Sequence, residues 1–215
     1  MGRLSFERIC SSAYLQVFEY TWEVRMNNNE KGNLIRLFDI DDDFIIDLKY
    51  ATADNFTGEK IYNSAECYMD RHTAEILIKA RDIFKKDGYR VKIWDAYRPI
   101  SAQARFWEIM PDDNFVARPP DMSKIKVFRP THMNGMCVDV TLTDNDGNDI
   151  EMPTYFDDMT ERASLLYSGH TENGKKNGRY LKEVMESVGF QGYDMEWWHF
   201  YDVTTEPTPF MDFRI

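Results

Sequence analysis

The chain has 215 residues, a length that fits one large domain or two small ones, and one domain is the simpler expectation. Hydrophobic residues make up 43% and aromatics 14%, enough apolar area to build a core and to exclude a disordered chain. The net charge of 26 − 37 = −11 repels phosphate backbones and disfavours nucleic acid as a partner. No apolar run approaches the roughly 18 to 20 residues of a membrane helix, so no membrane partner is expected.

Residues 1–30 mix Arg3, Glu7, Arg8, Glu19, Glu23 and Arg25 among aromatics, without the uninterrupted apolar segment and small-residue cleavage site of a secretory signal. Cys10, Cys67 and Cys137 are odd in number, far apart and form no CxxC, so neither a disulfide framework nor a thiolate metal site is written here. A reducing, cytoplasmic setting is the expectation. Asn27 to Asn33 is a polar spacer behind an aromatic arm that carries Tyr14, Phe18, Tyr20 and Trp22. Residues 1–33 are therefore read as an added arm, and residues 34–215 as the working domain.

Apolar residues recur at helical intervals from Asp70 to Asp87, with Asp70 available as a cap and Gly88 just past the end. Tyr89 to Trp94 alternates charge and apolarity as a strand does, and Ser101 to Met110 returns to helical spacing. Gly135 to Thr143 alternates again, setting Met136, Val138, Val140 and Leu142 on one face and Cys137, Asp139, Thr141 and Thr143 on the other. Asp146-Gly147 suits a tight turn, with Asp149 to Met152 as the returning strand. Asp144, Asp146 and Asn148 resemble the start of a calcium loop, but Asp149 and Tyr155 stand where that loop needs Gly and Glu. Residues 157–167 and 173–187 read as helices, the second ending at Gly189, and Tyr193 to Tyr201 reads as an extended aromatic segment. Helices mixed with antiparallel-looking strands define an α+β fold, a single domain with a central, mainly antiparallel sheet flanked by helices.

Of the four histidines, His132 and His199 keep chemically unusual company. His132 precedes Asp139 by seven residues, with Gly135 between them to let a loop histidine and a strand carboxylate converge. His199 closes Glu196-Trp197-Trp198-His199. Two imidazoles and a carboxylate suit a catalytic zinc that keeps one position open for water. Glu196 is then available as a base toward that water, and Arg98, at a strand-to-helix junction, as a cation for a developing oxyanion. Taken pairwise, the same residues fit a solvated histidine, an exposed strand carboxylate and a Trp-rich hydrophobic plug better than they fit zinc. His72 and His170 read as structural.

From about Asp39 to Phe200 the sequence resembles the D-alanyl-D-alanine dipeptidases, the vancomycin-resistance type of zinc peptidase, in the superfamily that includes D,D-carboxypeptidases and hedgehog domains. Four segments in the family's order carry the resemblance: Asp47 to Gly58 with Tyr62 after it, Trp94 to Pro99, His132 to Asp139, and Glu196 to His199. The resemblance implies one zinc held by His132, Asp139 and His199, Glu196 as general base, and Arg98 as stabiliser of the tetrahedral intermediate. It further implies that Asp95 orients Arg98 and that Asp157, with Asp158 directly after it, lies near the substrate's free amino group.

Pro130 stands where the family has a serine two residues before its first zinc-binding histidine, so that serine's substrate contact is lost or passes to Thr131. The expected reaction is zinc-dependent hydrolysis of D-Ala-D-Ala or a similar small D,D-dipeptide. The alternatives are a carboxypeptidase acting on peptidoglycan stems and a non-catalytic metal-containing binding module. The presence of both Glu196 and Arg98 argues against the last.

Overall fold

A computed structural model describes residues 31–113 and 115–215. The aromatic arm and Cys10 lie outside the described residues. The fold runs from Asn33 to Ile215. Strands β1 (Leu34–Arg36) and β3 (Tyr68–Asp70) form a small antiparallel pair. The main sheet holds β2 (Ile45–Ile46), β4 (Tyr89–Asp95), β5 (Cys137–Asp144), β6 (Phe190–Tyr193) and β7 (Glu196–Asp202) in the order β2-β4-β5-β7-β6. Every pairing in it is antiparallel except β2 with β4. With helices α1 (Arg71–Lys86), α2 (Ile100–Ile109) and α3 (Glu172–Val188), this is the expected α+β architecture.

Local chemistry explains where these elements begin and end. The Asp70 side chain accepts from the His72 N–H at 2.9 Å, and the Thr171 side chain accepts from the Gly174 N–H at 3.0 Å, capping α1 and α3. Gly189 closes α3 at φ 115°, a left-handed conformation that costs glycine little. Helix α1 lies against α3 and β4. The core gathers Leu77, Phe84, Ile93, Val140, Leu142 and Leu181, all withdrawn from solvent.

Three expectations about elements are corrected. Residues 157–167 form turns and one short 3-10 stretch, Glu161–Ala163, not a helix. Asp157 sits at φ 57° and the Thr160 side chain caps that short stretch, so a continuous helix cannot start there. Asp149 makes only an isolated bridge to Thr143 rather than opening a returning strand. The Asp144 carboxylate accepts from the N–H groups of Asp146 and Asn148, folding the turn onto itself, and Lys92 pairs with Asp149. Residues 193–201 are two strands meeting at Asp194-Met195 instead of one extended run.

Strand β5 positions the site. Val138, Val140 and Leu142 enter the core, while Cys137 and Asp139 on the opposite face line a cavity of about 560 Å³. The β4–β5 register shifts between Ile93 and Asp95, so Ile93 faces Val140 but Asp95 faces Asp139. This bulge, with Trp94 as the extra residue, carries Asp95 over to the Asp139 side.

Candidate active site

Asp95, Asp139 and His199 form a row across β4, β5 and β7, through the cross-strand pairs Asp95–Asp139 and Asp139–His199. His132 joins them from a 3-10 turn, His132–Asn134, that runs into β5. The Thr131 hydroxyl caps this turn, accepting from the Met133 N–H at 3.1 Å, and Gly135 closes it at φ 70°. There a Cβ would stand 2.5 Å from Leu34 Cδ2 and 2.7 Å from the Asp70 backbone nitrogen, so only glycine lets the loop lie this close to β3.

His132 Nδ1 donates to the Ala96 carbonyl at 2.6 Å, which leaves the Nε2 lone pair facing the site. Nε2 lies 3.2 Å from His199 Nδ1 and 3.4 Å from Asp139 Oδ1, and those two atoms are 2.9 Å apart. Ligand atoms about 2.0 Å from one tetrahedral ion stand roughly 3.3 Å from one another, so the triangle has the size a zinc-like divalent cation requires. Among the described residues, this is the group of His, Cys, Asp and Glu side chains close enough to hold a metal. Burial pushes the Asp139 carboxyl upward, but His132 and His199 outweigh it and hold the carboxyl well below the usual range.

Arg98 crosses the back of the site. Its Nε and Nη2 donate to Asp95 Oδ2 at 3.0 and 2.8 Å, its Nη1 donates to Gln103 Oε1 at 2.9 Å, and Nη2 is 3.9 Å from Asp139 Oδ2. Three of its five N–H groups are thereby engaged, and one on each terminal nitrogen is left for another acceptor. Asp95 is fully buried and also accepts from the Tyr62 hydroxyl at 2.7 Å.

Glu196 and Asp157 line the same cavity, and burial pushes the carboxyl of each up to about 7. The Tyr50 hydroxyl donates to Asp157 at 3.0 Å and the Phe56 N–H at 3.3 Å, fixing a carboxylate on a left-handed residue. Asp158 turns elsewhere, accepting from the Thr160 hydroxyl and lying 3.8 Å from Arg162. Cys137 pairs with Tyr201 across the sheet and packs beside the site. His72 bonds Thr204 and His170 bonds the Ser164 carbonyl, and neither lines the cavity.

All seven residues singled out in the sequence therefore meet in one place: Glu196, Arg98, Asp157, His132, Asp139 and His199 line the cavity, and Asp95 stands behind Arg98. Sequence reasoning missed Gln103, a polar residue on a helix with no pattern to mark it. It also missed the part of Tyr50 and Tyr62, which stood in a recognised segment without a stated task.

The cavity joins this triad to a half-buried glutamate and an arginine, residue types that metal-dependent hydrolases use. The family model described as D-ala-D-ala dipeptidase matches residues 30–214, and the chain belongs to that family of peptidases. The D-alanyl-D-alanine dipeptidase of Escherichia coli (strain K12) is 36% identical over 172 residues, covering 80% of this chain and 86% of its own. That of Enterococcus faecium is 34% identical over 185 residues, covering 79% and 91%. A solved LD-carboxypeptidase, LdcB, superposes with a TM-score of 0.47 at 16% identity, covering 80% of this chain and 68% of its own.

Proposed function

We propose that the protein is a zinc-dependent dipeptidase that cleaves D-Ala-D-Ala or a closely similar small D,D-dipeptide. Membership of the peptidase family supports the reaction class. The observation that carries the metal assignment is the closed triangle of His132, Asp139 and His199 atoms, sharing a cavity with Glu196 and Arg98. When bound there, one zinc ion per chain supplies Lewis acidity that brings the pKa of water toward about 7.

The remaining chemistry belongs to the side chains. Glu196 takes the proton of the attacking water and returns it to the leaving nitrogen, a task suited to a carboxylate whose proton affinity burial has raised toward neutrality. Arg98 turns its two remaining N–H groups to the oxyanion that grows on the scissile carbonyl. Because Asp95 and Gln103 already hold the guanidinium, it need not reorganise as charge develops. Asp157 receives the substrate's ammonium, placing the first residue of the dipeptide.

The setting proposed is the cytoplasm. Cys67 and Cys137 are free, buried thiols, as suits a reducing compartment, and among the described residues no helix is long and apolar enough to cross a membrane.

Hydrolysis of D-Ala-D-Ala and of N-acetyl-D-Ala-D-Ala, measured with and without a chelator, tests this reading. The free dipeptide should be cleaved at least tenfold better in kcat/KM, since a charged hydrogen bond contributes roughly 1.5 to 3 kcal/mol, and chelation should abolish turnover. Glu196→Ala should keep zinc and lose about 10² to 10⁴ in kcat. Equal rates on the free and blocked dipeptides would move the reading to a carboxypeptidase.

A further inference from the structure

A free dipeptide carries a carboxylate as well as an ammonium, and the reading above leaves the carboxylate without a partner. The cavity offers two guanidinium groups, Arg98 and Arg129. Arg98 is committed: Asp95 opposes its charge through two hydrogen bonds, and the mechanism proposed above assigns its remaining N–H groups to the oxyanion. Arg129 is exposed in the cavity, and among the described residues its side chain makes no hydrogen bond or ion pair. Asp113 lines the same cavity but does not neutralise Arg129, because both its oxygens accept from Arg118, at 2.8 and 2.6 Å.

The chain around Arg129 is fixed although its side chain is free. Asn134, fully buried, donates through Nδ2 to the Arg129 carbonyl at 3.0 Å and to the Thr208 carbonyl at 2.9 Å, while its Oδ1 accepts from the Thr131 N–H at 2.9 Å. On the other side, Phe128 packs edge-on against Phe210 at 5.1 Å. Pro130, between these anchors, has neither a hydroxyl nor an N–H to offer a substrate. A guanidinium presents a planar fork that matches a carboxylate's two oxygens, and held at a fixed root it gives up less freedom on binding.

We infer that Arg129 binds the terminal carboxylate of the dipeptide and makes the enzyme select substrates with a free C-terminus, Asp157 holding the opposite end. This rests on the dipeptidase reading. Arg129 is a specificity residue; it touches no group whose bonds change.

The test compares D-Ala-D-Ala with its C-terminal amide on the zinc-loaded wild type, Arg129→Gln and Arg129→Lys. The wild type should prefer the acid by roughly ten- to a hundred-fold in kcat/KM, the range for a hydrogen bond to a charged group. Arg129→Gln should lose most of that preference through a raised KM for the acid, leaving the amide nearly unchanged, and Arg129→Lys should restore part of it. In a Glu196→Gln background, slowed enough that binding is read before turnover, calorimetry should show the same weakening of Kd for the acid. A wild-type preference retained in Arg129→Gln, or equal losses on acid and amide, would overturn this inference alone. Failure of the wild type to cleave D-Ala-D-Ala would overturn the dipeptidase reading and this inference with it.

Discussion

Asp139 and His199 stand directly opposite each other on neighbouring antiparallel strands, with Oδ1 2.9 Å from Nδ1. Residues paired in this way share one face of a sheet, so two segments sixty residues apart in sequence deliver two lone pairs to one point by strand register alone. His132 adds the third from a loop that the same β5 strand continues.

That geometry predicts which substitutions remove the metal. The purified protein should contain close to one zinc per chain by elemental analysis. His199→Ala and Asp139→Ala should each lower the content sharply. Cys137→Ser should keep it: burial pushes the Cys137 thiol well up, away from the thiolate that a metal requires. Loss of zinc in Cys137→Ser with retention in His199→Ala would overturn the ligand set.

Gly135→Ala should be destabilising out of proportion to the added methyl group. The residue occupies φ 70°, and its new Cβ would press within 2.7 Å of the Asp70 backbone nitrogen, which cannot rotate away. A left-handed non-glycine residue with a backbone clash should cost about 1 to 3 kcal/mol in denaturant unfolding. Displacement of His132 should weaken zinc binding in the same variant, whereas Gly58→Ala, with open space around it, should show only the smaller conformational strain.

Six of the seven expected site residues, Asp157 apart, were legible because each stands in one of four short segments whose order and spacing are distinctive. Helix α1 was legible because its cap, apolar period and closing glycine agree, and α3 because Gly189 marks its end. What stayed hidden depends on pairing. The bulge at Trp94 that turns Asp95 toward Asp139 exists only once β4 meets β5. The turn at Asp194-Met195 lacks the Asn-Gly or Asp-Gly signal that marks a tight hairpin, so two strands read as one. Residues 157–167 carry a helical apolar pattern, but the cavity demands Asp157 in a left-handed conformation, and the tertiary demand overrides the local one.

Two half-buried carboxyls give the metal-free protein a pH-dependent stability with a definite sign. Burial raises Asp157 from an ordinary 3.8, and Glu196 from 4.5, each to about 7. Between about 4 and 7 the folded state then holds protons that the unfolded chain has released, so stability falls as pH rises through this window. Thermal unfolding of the chelated protein should show Tm decreasing from pH 5 to pH 8. Asp157→Asn should remove one proton's share of that slope and raise Tm at pH 8. A slope unchanged in Asp157→Asn would show that this carboxyl is ordinary.

Gln103 should influence turnover only through Arg98. Its Oε1 accepts from Arg98 Nη1 at 2.9 Å, and its Nε2 donates to the Ala117 carbonyl at 2.6 Å, so one buried amide ties the guanidinium to the loop that borders the cavity. Arg98→Ala should cost about 10² to 10³ in kcat, as loss of an oxyanion donor does, with a smaller effect on KM. Gln103→Leu leaves the charge in place but frees it to reorient, and about a tenfold loss in kcat is expected with zinc content unchanged. Gln103→Glu keeps an acceptor for Arg98 and loses the donor to Ala117, so kcat should recover while the loop loosens. The double variant Arg98→Ala, Gln103→Leu should be scarcely slower than Arg98→Ala alone, because the amide has then nothing to position. Losses that simply multiply would detach Gln103 from Arg98 and make it a structural tie for the Ala117 loop.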